Sequence, residues 1–289
     1  MQEFWHQQQR GVGDNYITLV NGDITKQKFE DPKTAAIVNA ANDQLWGGAG
    51  VALAIQNAAG GSFKRSVEAA MSEFLTATGK SRFMVGDALT TTAGAMTNVG
   101  WVIHTAGPEL GDSEDFGNNT SMTRLTQKQN KEALLTRAYQ NTLQQADINK
   151  IMSVAFTAIS TGIFNYDVTL ATPVAIATVL VFLINRPTNI KEVRFTTLNF
   201  PRGKGASQIV LTRAAQRDYD VYEGCLAKLV SANVLQEVTK EPLNTNLIAS
   251  TSLNISGGAK TPKIYKINRA ATTKDYTSIL KILTPEELE

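Results

Sequence analysis

The chain has 289 residues, of which 43% are hydrophobic and 19% are charged, so it can bury a core and does not have the composition of a disordered protein. Its net charge of +2 is too small to give the broad positive surface of a nucleic-acid-binding protein. One cysteine, Cys225, and two histidines, His6 and His104, exclude a disulfide scaffold and a typical zinc site, and we expect no metal.

The N-terminal segment Met1–Arg10 is polar and lacks the apolar stretch of a signal peptide. The most apolar run, Val168–Ile184, contains Pro173 and several threonines, and it is shorter than the roughly 20 cleaner residues that a membrane span needs. We therefore predict a buried helix there, no membrane association and a cytoplasmic location.

Short apolar runs alternate with helical patterns along the chain. The predicted strands are Tyr16–Asn21, Ala35–Ala41, Phe83–Thr91, Trp101–Ala106, Ile151–Ile159 and Val193–Asn199. The predicted helices are Val51–Ala59, Phe63–Thr78, Gln127–Gln145, a helix with Pro173 in its first turn that ends at Ile184, and Asp218–Val230. This alternation predicts an α/β fold with a mostly parallel sheet and helices on both faces. Ligands of such sheets bind at the carboxyl ends of the strands.

Beyond about Ala232 the pattern weakens, and we predict a domain over residues 1–231 and a C-terminal extension over residues 232–289. The segment Leu110–Thr126 predicts a long surface loop, and Phe200–Ala206 predicts a turn or an insertion. Lys263–Arg269 is basic, with alternating aliphatic and aromatic residues. Cys225 and His104 both lie in regular apolar patterns, which favours a core position for each over a catalytic one.

Three loops that follow predicted strands carry residues suited to a nucleotide. In Asn21–Thr25, the Asp23 carboxylate could cap a helix or accept a hydrogen bond from the amino group of adenine. In Gly47–Val51, glycines precede a helix, whose free amides could hold a phosphate, although tight packing can also require glycine. In Ser160–Tyr166, glycine and hydroxyls offer further donors, and Phe164 and Tyr166 could cover a sugar or pack in the core.

Taken together and in this order, these loops resemble those of the macrodomain family. The resemblance rests on the stretches Gly22–Thr25, Ile37–Asn42, Gly48–Val51, Val85–Ala88, Val102–Pro108 and Ser160–Phe164. It covers about residues 16 to 200. It implies a three-layer α/β/α fold with a mixed, mostly parallel central sheet, and a site for ADP-ribose or an ADP-ribosylated protein, without a metal or a cofactor.

The resemblance also implies roles for individual residues. Asp23 would bind the adenine amino group, Asn42 would contact the distal ribose, and residues near Leu198 and Asn199 would flank the adenine. Two sets of backbone amides would hold the diphosphate from opposite sides. The implied ADP-ribose-binding residues are Asp23, Ile24, Ala40, Asn42, Gly48, Ala49, Gly50, Val51, Ser160, Thr161, Gly162, Ile163, Phe164, Asn165, Leu198 and Asn199, with Asn42 as the implied catalytic residue.

Three positions depart from the family's pattern. Ala49 replaces a glycine of the glycine run, and Asn165 replaces the glycine that follows the Ile-Phe pair. Asparagine tolerates the left-handed backbone conformation better than most residues do. Ala52 stands where hydrolases of the family carry an aspartate. Ala52 therefore leaves the enzymatic role open.

Four functions remain compatible with the sequence. The first is removal of mono-ADP-ribose from protein side chains, and the second is a non-catalytic reader of ADP-ribose. The third is hydrolysis of free O-acetyl-ADP-ribose in the same pocket. The fourth, which we consider the weakest, is binding of single-stranded RNA by a basic tail near Tyr265 that comprises Lys260, Lys263, Lys266, Arg269 and Lys274.

Overall fold

The structure, a computed structural model, describes residues 14–109, 124–197, 208–238, 262–271 and 273–284. These residues form eight strands: β1 Tyr16–Val20, β2 Ala35–Ala41, β3 Ala88–Thr92, β4 Trp101–Ala106, β5 Ser153–Thr157, β6 Glu192–Thr196, β7 Leu235–Glu237 and β8 Lys263–Ile267. They also form six α-helices: α1 Val51–Ala59, α2 Phe63–Thr78, α3 Arg124–Ile148, α4 Val168–Asn185, α5 Gln208–Ser231 and α6 Tyr276–Leu283. Two short 3-10 helices, Ile24–Lys26 and Pro32–Thr34, lie between β1 and β2.

The strands form one mixed sheet in the order β3-β4-β2-β5-β6-β1-β8-β7. The five central strands, from β4 to β1, are mutually parallel, while β3, β8 and β7 pair in the antiparallel sense. The carboxyl ends of β4, β2, β5, β6 and β1 therefore meet along one edge. This edge is where an open α/β sheet binds its ligand.

Alternate residues of β2 enter two cores on opposite faces of the sheet, which makes the molecule a three-layer α/β/α structure. In β2, Ala35 and Ile37 face α1 and α2, whereas Ala36 and Val38 face the opposite cluster with α3, α4, α5 and α6. All four side chains are fully buried. The predicted fold class is confirmed.

The predicted strands and helices are found in the structure, most of them with small shifts at their ends. The largest differences concern α5, which begins at Gln208 and not at Asp218, and β3, which begins at Ala88 and not at Phe83. The one shift with a clear physical cause concerns Pro173, which was predicted in the first turn of its helix. The helix begins earlier, at Val168, because the Asp167 carboxylate accepts hydrogen bonds from Thr169 N at 2.7 Å and Thr169 Oγ1 at 2.6 Å. Pro173 therefore lies inside the helix, where its missing N–H leaves the carbonyl of Thr169 without its usual helical donor.

Helix α4 is long and apolar enough to cross a membrane by length and composition alone, with a mean hydropathy of 2.1. In the structure 72% of it is buried between the sheet, α3, α5 and α6. This placement agrees with the predicted buried helix.

Residues of the predicted C-terminal extension extend the sheet. Strand β8 pairs with β1, so that Ile17 lies opposite Tyr265, and β7 pairs with the far side of β8. The boundary at residue 231 remains a prediction. The basic residues of this segment have structural partners, since Lys263 Nζ lies 3.0 Å from Glu223 Oε1 and Lys266 Nζ lies 2.8 Å from Asp14 Oδ2.

His104 and Cys225 occupy the core, as predicted. The His104 ring is fully buried, with Nδ1 at 3.1 Å from Asn39 Nδ2 and Nε2 at 3.0 Å from Thr91 Oγ1. Burial lowers the pKa of His104 to about 3, so the ring is neutral at physiological pH. Burial raises the pKa of the Cys225 thiol to about 11, which makes it a poor nucleophile.

Arg194, which forms a buried ion pair within β6, connects this strand with the loop that follows β1. The Arg194 guanidinium donates to both Glu192 carboxylate oxygens at 3.0 Å, and both side chains are buried. Arg194 also donates to Gln27 Oε1 at 3.0 Å, and Gln27 Nε2 donates to the carbonyl of Asp23 at 3.1 Å. Arg194 thereby fixes the loop that carries Asp23.

Candidate functional site

A cleft of about 250 Å³ lies along the edge where the parallel strands end. Its walls come from the segments that follow β2, β4, β5 and β6, and from helix α5. The lining residues are Ala40, Ala41, Asn42, Gly47, Gly48, Ala49, Gly50, Val51, Ala52, Gly107, Thr157, Ala158, Ser160, Thr161, Gly162, Ile163, Phe164, Thr196, Thr197 and Asp218.

The first wall is the glycine-rich turn between β2 and α1. Gly50 caps α1 with φ +64° and ψ −131°, a conformation that a residue with a Cβ adopts only under strain. Because Gly50 has no side chain, nothing caps the first amides of the helix, which are those of Val51, Ala52 and Leu53. Gln56 Nε2 donates to the carbonyl of Gly47 at 3.0 Å and holds the turn on the helix. The turn thus presents free amides and a positive helix end to the cleft.

The second wall is the loop after β5. Its shape is set by hydrogen bonds from Tyr166 N to the Ser160 carbonyl at 3.0 Å and from Asn165 N to the Gly162 carbonyl at 3.1 Å. Asn165 adopts the left-handed conformation, with φ +56°, as its replacement of glycine requires. No described residue accepts a hydrogen bond from the amides of Gly162, Ile163 or Phe164.

The two aromatic residues of this loop have different positions. Phe164 is half-buried and lines the cleft, whereas Tyr166 is buried in the core. Burial is also the main reason that the pKa of Tyr166 rises to about 12. Phe164 is therefore the aromatic residue of this loop that a ligand can contact.

Gly107, directly after β4, packs against the second wall. A Cβ at this position would collide with the Ser160 side chain and with Ile159. Only glycine lets the two loops approach this closely. Ser160 itself has φ +70°, a strained conformation for a non-glycine residue, which is typical of loops that serve a site.

Several buried polar atoms at this edge have no hydrogen-bond partner in the described structure. They include Thr157 Oγ1, Ser160 Oγ and Thr197 Oγ1, which belong to residues of the cleft, and Asn21 Oδ1, which follows β1. Buried polar groups in native proteins are almost always satisfied, by protein, by ordered water or by a ligand. These atoms therefore indicate where a polar ligand or its water would bind.

The charge of the cleft is unusual for an anion site. None of the described lining residues is Lys or Arg, and Asp218 is the one carboxylate among them. Any attraction for an anion thus comes from backbone amides and the end of α1. Such amides approach a phosphate closely and are oriented by the fold.

Most of the predicted binding residues lie together in this cleft. They are Ala40, Asn42, Gly48, Ala49, Gly50, Val51, Ser160, Thr161, Gly162, Ile163 and Phe164. The Asn42 side chain is held by the loop, since its Oδ1 accepts from Gln44 N at 3.1 Å and its amide donates to the Trp46 carbonyl at 3.4 Å. Ala52, the position at which the resemblance implies an aspartate in hydrolases of the family, also lines the cleft.

The remaining predicted residues lie elsewhere. Ile24 is buried in the core beside α1, and Asn165 is exposed at the end of the second wall. Asp23 follows β1, one strand beyond the cleft, and Leu198 and Asn199 lie outside the described residues.

Asp23 has a structural role in addition to any role in binding. Its Oδ1 accepts hydrogen bonds from Thr25 N at 2.8 Å and from Thr25 Oγ1 at 2.7 Å, and so caps the 3-10 helix that follows. Its Oδ2 has the Lys26 ammonium 3.8 Å away. Capping and recognition of an amino group can therefore use different oxygens of the same carboxylate.

Sequence reasoning missed the lining residues that come from the ends of neighbouring elements. Thr157, Thr196 and Thr197 lie near the carboxyl ends of the predicted strands Ile151–Ile159 and Val193–Asn199, so their place at the binding edge is a signal that could have identified them. Asp218 lies on α5 far from the other loops, and nothing in its sequence context distinguishes it from a solvent-exposed helical carboxylate.

The sequence is similar to that of macro domain proteins. The family model described as the Macro domain matches residues 38–175. The chain is 36% identical over 179 residues to a macro domain-containing protein of Streptomyces coelicolor, which covers 62% of this chain and 89% of that protein. It is also 36% identical over 179 residues to a protein of Cronobacter turicensis named O-acetyl-ADP-ribose deacetylase, with 62% of this chain and 86% of that protein covered.

Solved structures share the fold. A mutant of the Oceanobacillus iheyensis macrodomain, solved with ADPR, has a TM-score of 0.56 and 27% sequence identity, and the match covers 76% of this chain and 96% of that one. A Trypanosoma brucei macrodomain in complex with ADP-ribose has a TM-score of 0.51 over 73% of this chain and 68% of that one, and at 23% identity it supports the fold alone.

Proposed function

This chain belongs to the macrodomain family, and from that premise we propose that its cleft binds ADP-ribose, free or attached to a protein. One observation carries the proposal. Two sets of backbone amides that have no acceptor among the described residues, at the start of α1 and at Gly162–Phe164, line the same cleft. Two sets of donors on opposite walls suit a diphosphate, whose two phosphates each need hydrogen bonds. The Oceanobacillus macrodomain, which was solved with ADPR bound, supports the same ligand.

The proposed orientation of the ligand follows the order of the strands. The diphosphate lies between Gly48–Val51 and Ser160–Phe164, and the distal ribose lies toward Asn42 at the end of β2. The adenine lies toward Asp23, beyond the end of β6. This orientation uses each of the predicted loops in the order in which the sheet presents them.

The binding proposal is tested by calorimetric titration with ADP-ribose. We expect a dissociation constant in the micromolar range, which corresponds to about −8 kcal/mol. ADP should bind more weakly, because it lacks the distal ribose that contacts Asn42. A folded protein that gives no heat and no thermal shift with ADP-ribose would contradict the proposal.

Replacement of Asp23 by Ala tests the adenine end of the site. We expect the variant to lose about 1.5–3 kcal/mol of binding free energy, the scale of a hydrogen bond to a charged group, and to lose its preference for ADP-ribose over the guanine analogue. Loss of the cap should also lower the free energy of unfolding by about 1 kcal/mol.

The matched control is Asp31→Ala, because Asp31 caps the second 3-10 helix by accepting from Lys33 N at 3.0 Å, away from the cleft. Both variants should lose similar stability, and only Asp23→Ala should lose affinity. If both bind ADP-ribose like the wild type, Asp23 is a cap and nothing more.

Hydrolysis of the bound ligand is the second candidate function, and the name of the Cronobacter relative favours the form in which water cleaves the acetyl ester of O-acetyl-ADP-ribose and releases acetate. For mono-ADP-ribose attached to a protein, a different bond breaks. A water held between the diphosphate and the anomeric carbon of the distal ribose would attack that carbon. The bond from this carbon to the protein side chain would break, and the leaving group would take up the proton of the water. Asn42 would orient the ribose, which is catalysis by positioning.

The absence of a carboxylate at Ala52 favours the alternative, a reader that binds without turnover. Asp218, the carboxylate that does line the cleft, comes from the β6 side and not from the Asn42 side. Incubation with a substrate mono-ADP-ribosylated on an acidic residue, and separately with O-acetyl-ADP-ribose, distinguishes the two functions. Release of ADP-ribose that Asn42→Ala abolishes would establish an enzyme, and tight binding with no release would establish a reader.

A further inference from the structure

Asp218 lines the cleft from α5, an element that carries neither the diphosphate amides nor Asn42. It is 9% exposed and lines the cleft together with Thr196 and Thr197, at the end of β6. Its helix, α5, contacts β1 as well as α4 and α6. Asp218 therefore belongs to the β6–β1 side of the cleft, opposite the β2 side on which Asn42 lies.

The order of the strands assigns this region to one part of the ligand. The diphosphate amides follow β2 and β5, and Asp23 follows β1, while β6 lies between β5 and β1. In ADP-ribose, the group between the diphosphate and the adenine is the adenosine ribose. Its 2′ and 3′ hydroxyls are a pair of adjacent hydrogen-bond donors and acceptors.

The polar atoms of this region suit such a diol. Thr157 Oγ1 and Thr197 Oγ1 are buried without a partner in the described structure, and both residues line the cleft. A carboxylate accepts about four hydrogen bonds, so Asp218 can bind a hydroxyl in addition to its contacts within the protein. Burial and then Tyr139 raise the pKa of the Tyr222 phenol, and the negative charge of Asp218 makes a smaller contribution, so the Asp218 carboxylate lies near the buried Tyr222.

We propose that Asp218, with Thr157 and Thr197, binds the hydroxyls of the adenosine ribose and selects against a phosphate on them. This inference rests on the proposed function, binding of ADP-ribose. A 2′-phosphate would lie beside a buried carboxylate in a cleft where no described lining residue is Lys or Arg. An acidic residue at the adenosine ribose makes the same choice in dinucleotide-binding folds, where it accepts the 2′ hydroxyl and disfavours the 2′-phosphate.

The test compares three ligands by calorimetry: ADP-ribose, 2′-deoxy-ADP-ribose and ADP-ribose 2′-phosphate. For the wild type we expect the deoxy ligand to bind about 10-fold more weakly, the effect of one hydrogen bond to a charged group, and the 2′-phosphate to bind at least about 20-fold more weakly. In Asp218→Asn, which keeps the shape but removes the charge, the three affinities should converge to within about 3-fold, because the hydroxyl and the phosphate no longer meet a carboxylate.

The matched control is Asp220→Asn on the same helix, which removes the same charge from an exposed side chain that accepts a hydrogen bond from Gln216 Nε2 at 2.7 Å. It should keep the ligand preferences of the wild type. Wild-type protein that binds ADP-ribose and its 2′-phosphate equally would overturn the proposal, even if Asp218→Asn does not fold. So would a folded Asp218→Asn with unchanged preferences. Failure of the wild type to bind ADP-ribose at all would instead contradict the proposed function.

Discussion

A Gly162→Glu variant is expected to fold like the wild type and to show no measurable binding of ADP-ribose. No atom lies within 4 Å of the position that a Cβ on Gly162 would occupy, and its backbone is outside the left-handed region, so the side chain enters the cleft without strain. Its charge would then lie beside the diphosphate. At 4 Å and an effective dielectric constant of about 20, one such charge pair costs about 4 kcal/mol, which is close to a 1,000-fold loss of affinity.

The measurement is a calorimetric titration combined with a thermal melt. Gly61→Glu is the matched control, because Gly61 is exposed in the turn between α1 and α2 and a Cβ there also meets nothing within 4 Å. It adds the same charge away from the cleft and should bind like the wild type. Wild-type affinity in a folded Gly162→Glu protein would show that the loop after β5 is not the phosphate site.

Replacement of Arg194 by Ala is expected to have the largest effect on stability, a loss of about 3–5 kcal/mol in the free energy of unfolding. The variant leaves the Glu192 carboxylate buried without its partner, and it removes the donor to Gln27 Oε1 and to the Lys28 carbonyl. Because this network holds the loop of Asp23, the surviving folded protein should also bind ADP-ribose more weakly. Urea denaturation measures the first effect and calorimetry the second.

Lys64→Ala provides the comparison for the Arg194 experiment. Lys64 pairs with Glu68 on α2 at 3.8 Å, and both side chains are more than half exposed. Such surface pairs contribute less than about 1 kcal/mol. If Arg194→Ala destabilises the protein no more than Lys64→Ala does, the buried ion pair does not stabilise the loop of Asp23, contrary to what its geometry indicates.

The parts of the fold that depend on local pattern could be predicted from the sequence. Helices α1 and α2 begin and end where their apolar spacing and flanking glycines predict, and the strand-like runs mark β1 to β6. The end of each parallel strand points to the binding edge, so the glycine turn and the Ser160–Phe164 loop could be placed without the structure.

The remaining features depend on contacts between distant residues. Strand β8 contains two lysines among three apolar residues, a composition that suits an exposed tail as well as a strand near the sheet edge, and its pairing with β1 decides between them. Asp218 reaches the cleft only because α5 packs beside β1 and α4. Pro173 lies within its helix because Asp167 caps the helix at an earlier position. The sequence alone is equally compatible with a helix that begins just before Pro173, since proline is common in the first turn.

The position of β1 has a consequence for how the chain folds during synthesis. Residues 16–20 are made long before both of their neighbours in the sheet, residues 192–196 and 263–267. At typical rates of translation, the delay between β1 and β8 is roughly 10–50 s. Until residues 192–196 are made, both edges of β1 are unpaired, and one edge remains unpaired until residues 263–267 follow. Apolar residues such as Ile17 and Leu19 then lack some of their final neighbours. The nascent chain therefore exposes apolar surface of the kind that chaperones bind, and β1 gains both of its neighbours only after residues 263–267 have been made.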